Sequence, residues 1–94
     1  MEEKYRHQNA LLLYRKRMGF SQKYVAALLG HRTTQMLSGY ERGHCLPSLV
    51  TALRLEVIYR VPVAFLYGRT YDAIRLSIRE TEERFAPPRQ QVLF

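Results

Sequence analysis

The sequence predicts an all-α fold, a compact five-helix domain followed by a C-terminal amphipathic helix. Apolar residues recur at three- and four-residue spacing along most of the chain, the period of a helix with one buried face. Glycine or proline interrupts that period at Gly19, Gly30, Gly43, Pro62 and Gly68, where helices stop or start. No segment alternates apolar and polar residues as a half-buried strand does, and no internal repeat or low-complexity stretch is present.

The first helix is expected over residues 7–18. Leu11, Leu12, Tyr14 and Met18 form its apolar stripe, and Gly19 supplies the left-handed residue that ends many helices. Ser21 caps a short second helix, with Val25, Ala26, Leu28 and Leu29 as its apolar face and Gly30 as its stop. After His31 and Arg32, Thr33 caps a third helix over residues 34–42. Met36, Leu37 and Tyr40 face inward on it, Thr34, Gln35 and Ser38 face outward, and Gly43 ends it. Ser48 caps a fourth helix over residues 49–59, with Leu49, Ala52, Leu53 and Val57 on one face. Pro62 suits the first turn of a fifth, whose apolar content is Val63, Phe65, Leu66 and Tyr67. A last helix is expected over residues 71–85. Tyr71, Ile74, Ile78 and Phe85 line one side, Arg79–Glu83 and Glu80–Arg84 are i,i+4 pairs, and Pro87 and Pro88 end it. The expected organisation is a domain over residues 7–67, a C-terminal helix for packing or dimerisation over residues 68–86, and a tail over residues 87–94.

Charge narrows the partner. The net charge of +7 and pI near 10.0 favour an anionic surface, either nucleic acid or membrane. Residues 1–44 hold eight basic against three acidic side chains, and residues 45–94 hold seven against five, so the N-terminal half is the more positive. No apolar run approaches the roughly 18 residues of a membrane span. The opening Met-Glu-Glu-Lys-Tyr-Arg lacks the apolar segment of a signal peptide. A cytoplasmic protein with no membrane partner is expected.

The single cysteine, Cys45, excludes an intramolecular disulfide and a Cys-rich zinc site, and His7, His31 and His44 are not at zinc-ligand spacing. Nothing in the sequence marks Cys45 as reactive, so it reads as inert. The chain has no phosphate-binding glycine loop, no paired catalytic carboxylates and no supported Ser/His/Asp set. Glu80, Glu82 and Glu83 read as a solvated helix face. The expectation is a protein that is not an enzyme and uses no cofactor.

Two short helices joined by a tight turn acquire a function from what the second displays. The second helix carries Gln22 and Lys23 in its first turn, where free amides favour a phosphate. The third opens on Thr34 and Gln35. Glutamine pairs bidentately with adenine in the major groove, a threonine methyl touches a thymine methyl, and the first residues of a groove-bound helix lie nearest the bases.

The chain resembles the phage-repressor-like (xenobiotic-response-element, Cro-type) helix-turn-helix DNA-binding family. The resemblance rests on Arg15, Met18-Gly19, Phe20-Ser21-Gln22, Val25-Ala26, Leu29-Gly30, Tyr40-Glu41-Arg42-Gly43, Leu46-Pro47-Ser48, Ala52-Leu53, Val61-Pro62-Val63 and Leu66, in order over residues 11–67. It implies a lambda-repressor-like five-helix domain that binds operator DNA as a two-fold dimer. It further implies that Gln22 contacts phosphate and orients on the recognition helix. Thr33, Thr34 and Gln35 would approach the bases, and Ser38 and Arg42 would run along groove and backbone. Arg15 and Glu41 would form a partly buried structural ion pair tying the first helix to the end of the third.

Three features depart from that family pattern. Gly30 to Gly43 is one residue longer than usual, an insertion assigned to His31-Arg32, which leaves Arg32 either a phosphate contact or an exposed turn residue. Gly39 stands where the family often has a long polar side chain, so it either admits close approach to DNA or removes a base contact. The loop over residues 44–46 lacks basic residues, with His44 the candidate phosphate contact there.

The leading expectation is a sequence-specific regulator of double-stranded DNA, a repressor acting as a homodimer by steric occupation of a promoter. One alternative is an antitoxin whose C-terminal segment wraps a toxin partner. Another is a protein-interaction or membrane-surface module that has lost DNA binding. The Tyr71-to-Phe85 stripe reads first as core packing and second as a dimerisation face.

Overall fold

The computed structural model describes residues 7–85. All regular structure within them is helical: α1 (Leu11–Met18), α2 (Gln22–Leu28), α3 (Gln35–Glu41), α4 (Leu49–Tyr59), α5 (Val63–Leu66) and α6 (Gly68–Arg84). The tail over residues 87–94, with Pro87 and Pro88, lies outside the described residues, as does Ala86.

Local chemistry sets the ends of the first three helices. The Ser21 hydroxyl accepts from the Tyr24 amide at 3.0 Å and opens α2. Each of α1, α2 and α3 closes with a glycine at positive φ, and each makes the same pair of bonds back into the helix. The amides of Phe20, His31 and His44 donate to Arg15 O, Ala26 O and Gly39 O at 3.1, 2.9 and 2.9 Å. Those of Gly19, Gly30 and Gly43 donate to Lys16 O, Ala27 O and Tyr40 O, each at 3.0 Å. Gly43 is further constrained: a Cβ there would stand 3.0 Å from the His7 carbonyl oxygen. Ser48 caps α4 through the Thr51 amide at 3.2 Å.

Helix α1 begins at Leu11, four residues after the expected start. The reason is Asn9. Its Oδ1 accepts from the Leu11 amide at 2.9 Å, while its Nδ2 donates to His7 O and Tyr40 O, each at 2.8 Å. The backbone is thereby bent into a cap and tied to α3. The Ala10 amide also donates to Leu66 O at 2.8 Å, which joins this corner to α5.

The core gathers Leu11, Val25, Leu29, Leu37, Tyr40, Leu55, Tyr59, Leu66 and Tyr67, with Tyr14, Met18, Phe20, Ile58 and Val63 packed against it. The expected faces of all five helices, α1 to α5, are corrected in part. Leu12, Leu28 and Met36 are exposed, because each lies one position around its helix from the buried residue beside it. In α4 the expected face of Leu49, Leu53 and Val57 is exposed, and Leu55 and Tyr59 are buried instead. Helix α4 is apolar on both sides, so period alone did not select between them. Phe65 of α5 is exposed while Leu66 is buried.

Helix α6 differs most from expectation. It begins at Gly68, separated from α5 by the non-helical Tyr67 alone, and none of its residues is buried. Tyr71, Ile74, Ile78 and Phe85 are exposed, so the stripe is not core packing. Arg79 pairs with Glu82 at 3.4 Å and Arg75 with Asp72 at 3.5 Å, in place of Arg79–Glu83 and Glu80–Arg84.

Candidate nucleic-acid interface

The α2–turn–α3 unit is positioned from beneath by one carboxylate. Arg15 on α1 donates through Nε to Glu41 Oε2 at 2.6 Å and through Nη2 to Oε1 at 3.2 Å. Gln22, in the first turn of α2, donates from Nε2 to the same Oε1 at 2.9 Å. The remaining Arg15 donor, Nη1, reaches Phe20 O at 3.1 Å. Glu41 and Arg15 side chains are only 5% and 11% exposed, and each polar group is matched, which is the condition under which a buried charge is tolerated. The Glu41 bond holds the Arg15 guanidinium above its ordinary pKa.

Above this anchor the polar residues converge. Gln22, Thr33, Thr34, Gln35, Ser38, Gly39, Arg42 and His44 line one open concavity. Lys23 and Arg32 are exposed on α2 and the turn and do not line it. The start of α3 is corrected: the N-cap is Thr34 and not Thr33, it makes no side-chain cap bond, and the helix starts at Gln35, while Thr33 Oγ1 accepts from the Gln35 amide at 3.3 Å in a local turn just before the helix. Gln35 itself is exposed at the helix N-terminus. Basic side chains and no acidic one accompany the polar residues in the lining, which suits an anionic ligand.

Gly39 has a structural reason. A Cβ at this position would approach Cys45 Sγ to 3.1 Å, so the glycine lets the loop after α3 fold closely under the helix. A second concavity adjoins the first. It is bounded by Gln8, Asn9, Ala10, Glu41, Phe65, Leu66, Gly68 and Arg69, and it shares Arg42 and His44 with the first.

A helix-turn-helix family model, of the XRE/Cro/lambda-repressor-like kind, matches residues 11–66. The chain belongs to this family. Helices α1 to α5 are its helix-turn-helix domain, and α2 and α3 are the pair that names it. Membership supports a DNA-binding transcription regulator of the XRE type, a regulatory and not an enzymatic family. A search of the curated proteins finds no match. No helix among the described residues is long and apolar enough to cross a membrane.

Two side chains that hold the helix-turn-helix domain escaped the sequence reading. Asn9 caps α1 and grips α3 at once. Glu56 on α4 accepts from the Val63 amide at 3.0 Å and so caps α5, where Pro62 occupies the N-cap position and offers no side-chain acceptor. An Asn two residues before an apolar run is a recognisable cap signal. The Glu56 bond spans two helices, and nothing in local spacing points to it.

Proposed function

We propose that the chain is a sequence-specific repressor that binds double-stranded DNA with α3 and its flanks, residues 34–42, in the major groove. One observation carries the reading: seven polar or basic side chains from α2, the turn, α3 and the following loop line one concavity with Gly39, and no acidic side chain is in that lining. In this reading Thr33, Thr34 and Gln35 meet the base edges, where glutamine and threonine have matching partners. Ser38 lies along the groove. Gln22, Lys23, Arg32, Arg42 and His44 contact phosphates, with Gln22 held in place by Glu41. Residues 7–67 form the DNA-binding unit, and residues 68–86 serve association. Two copies bind as a homodimer, with recognition helices about 34 Å apart on one face of the duplex, and repress by occupying the promoter.

Two substitutions divide base contact from phosphate contact. Gln35→Ala is expected to weaken binding to the selected site by about 1–3 kcal/mol and relax one base position, with random duplex unaffected. Equal losses on both duplexes would remove Gln35 as a base reader. Arg42→Ala should weaken all duplexes alike and lower the slope of log K against log salt by about one. An unchanged slope would contradict a phosphate contact there.

A further inference from the structure

We propose that α6 is the self-association surface of this protein, and that two copies pair through it antiparallel. The inference deepens the homodimer reading above and rests on it for its consequence on DNA, while the pairing is a property of the free protein. Residues 71–85 are all exposed, and α6 meets the rest of the fold chiefly through α5. Tyr71, Ile74, Ile78, Thr81 and Phe85 recur at alternating spacings of three and four, which draws one seam along the helix. Only Leu76, among the large apolar residues of α6, lies off it. A sustained seam of this spacing is what two helices bury against each other.

The charges select the partner and its direction. The first half of α6 carries Arg69 and Arg75 against Asp72, and the second carries Glu80, Glu82 and Glu83 against Arg79 and Arg84, so the halves are of opposite net sign. A reversed copy of the same helix meets each half with its opposite, whereas a parallel copy lays like charge on like. With Tyr71, Ile78 and Phe85 at heptad position a and Ile74 and Thr81 at d, Arg75 and Glu82 both fall at e. Antiparallel helices set e against e. Arg75 of one copy therefore lies against Glu82 of the other, and two-fold symmetry makes the contact twice. The intrachain bonds that these residues now make are long, at 3.5 and 3.4 Å, and exposed, so they yield readily.

Sedimentation equilibrium of the full chain without DNA tests the proposal. The wild type is expected to dimerise. Ile74→Asp combined with Ile78→Asp is expected to be monomeric, with unchanged circular dichroism because neither residue is buried. Arg75→Glu and Glu82→Arg should each weaken the dimer about tenfold, and mixing the two variants should restore it, since the mixed dimer regains both opposite-charge contacts. Three results would overturn the proposal: a monomeric wild type, failure of the mixture to recover, or a dimer that survives the Ile74 and Ile78 changes. The last would move the interface elsewhere, for instance to the exposed Leu49, Leu53 and Val57 of α4. Loss of DNA binding by an intact dimer would overturn the functional reading and leave this pairing standing.

Discussion

The Glu41 carboxylate accepts from Arg15 Nε, Arg15 Nη2 and Gln22 Nε2, so a single side chain fixes α1 and α2 against the end of α3. The shared acceptor makes the angle between α2 and the recognition helix depend on a charge. Glu41→Gln keeps the shape and removes that charge, leaving Arg15 buried without a counter-ion. The expected loss is about 3 kcal/mol, at the low end for a buried pair because Arg15 keeps its bond to Phe20 O. Urea unfolding should show a lower midpoint at constant slope. A loss below about 0.5 kcal/mol would mean that the pair behaves as a surface ion pair. The residues of this anchor were legible through the family pattern, but the Gln22 bond to Glu41 required the fold, since 19 positions separate them.

At the scale of the element, helix ends were the most readable feature. Serine caps at 21 and 48 and left-handed glycines at 19, 30 and 43 act through neighbouring atoms, so local spacing suffices to find them. Helix faces were less readable where apolar residues surround the axis, as in α4, because burial is decided by what packs on the helix and not by the helix. The start of α1 was misjudged because a polar side chain, Asn9, overrides the continuing pattern. Gly39 illustrates the same limit: it lines the concavity over α2 and α3, and its close approach to Cys45, outside the helix, has no signal in local spacing. Replacing it by alanine gains about 1 kcal/mol of helix propensity, part of which the Cys45 contact takes back. In a Cys45→Ala background the gain should be fuller. A double-mutant cycle is therefore expected to give a coupling of at least about 0.5 kcal/mol. Strict additivity would remove Cys45 as the reason for the glycine.

The whole molecule combines a core rich in tyrosine with an exposed terminal helix, and its longest dimension is 52 Å against 22 Å for the shortest. Tyr59 and Tyr67 are buried, and neither hydroxyl has a hydrogen-bond partner among the described residues. Burial pushes the Tyr59 phenol up to about 12, and Tyr67 is raised further by the same cause. A phenol whose folded pKa is raised stabilises the fold fully below its unfolded value of 10.0, and that contribution is lost as pH rises toward the folded one. Thermal melts should therefore fall steeply from pH 10 upward, and Tyr59→Phe should flatten the fall while costing little at neutral pH. A wild-type curve flat to pH 12 would contradict the burial account. The all-helical architecture was legible from period and punctuation, but the solvent exposure of α6 was not, because an amphipathic stripe reads the same whether its own domain or a second copy covers it. The central claim is that the concavity over α2 and α3 reads DNA as a two-fold pair. Selection of bound duplexes from a random pool tests it most directly. The expected result is an enriched inverted repeat, with half-site centres about 10 base pairs apart and adenine at the position Gln35 reaches. Enrichment of no sequence, or no duplex binding even at low salt, would contradict it.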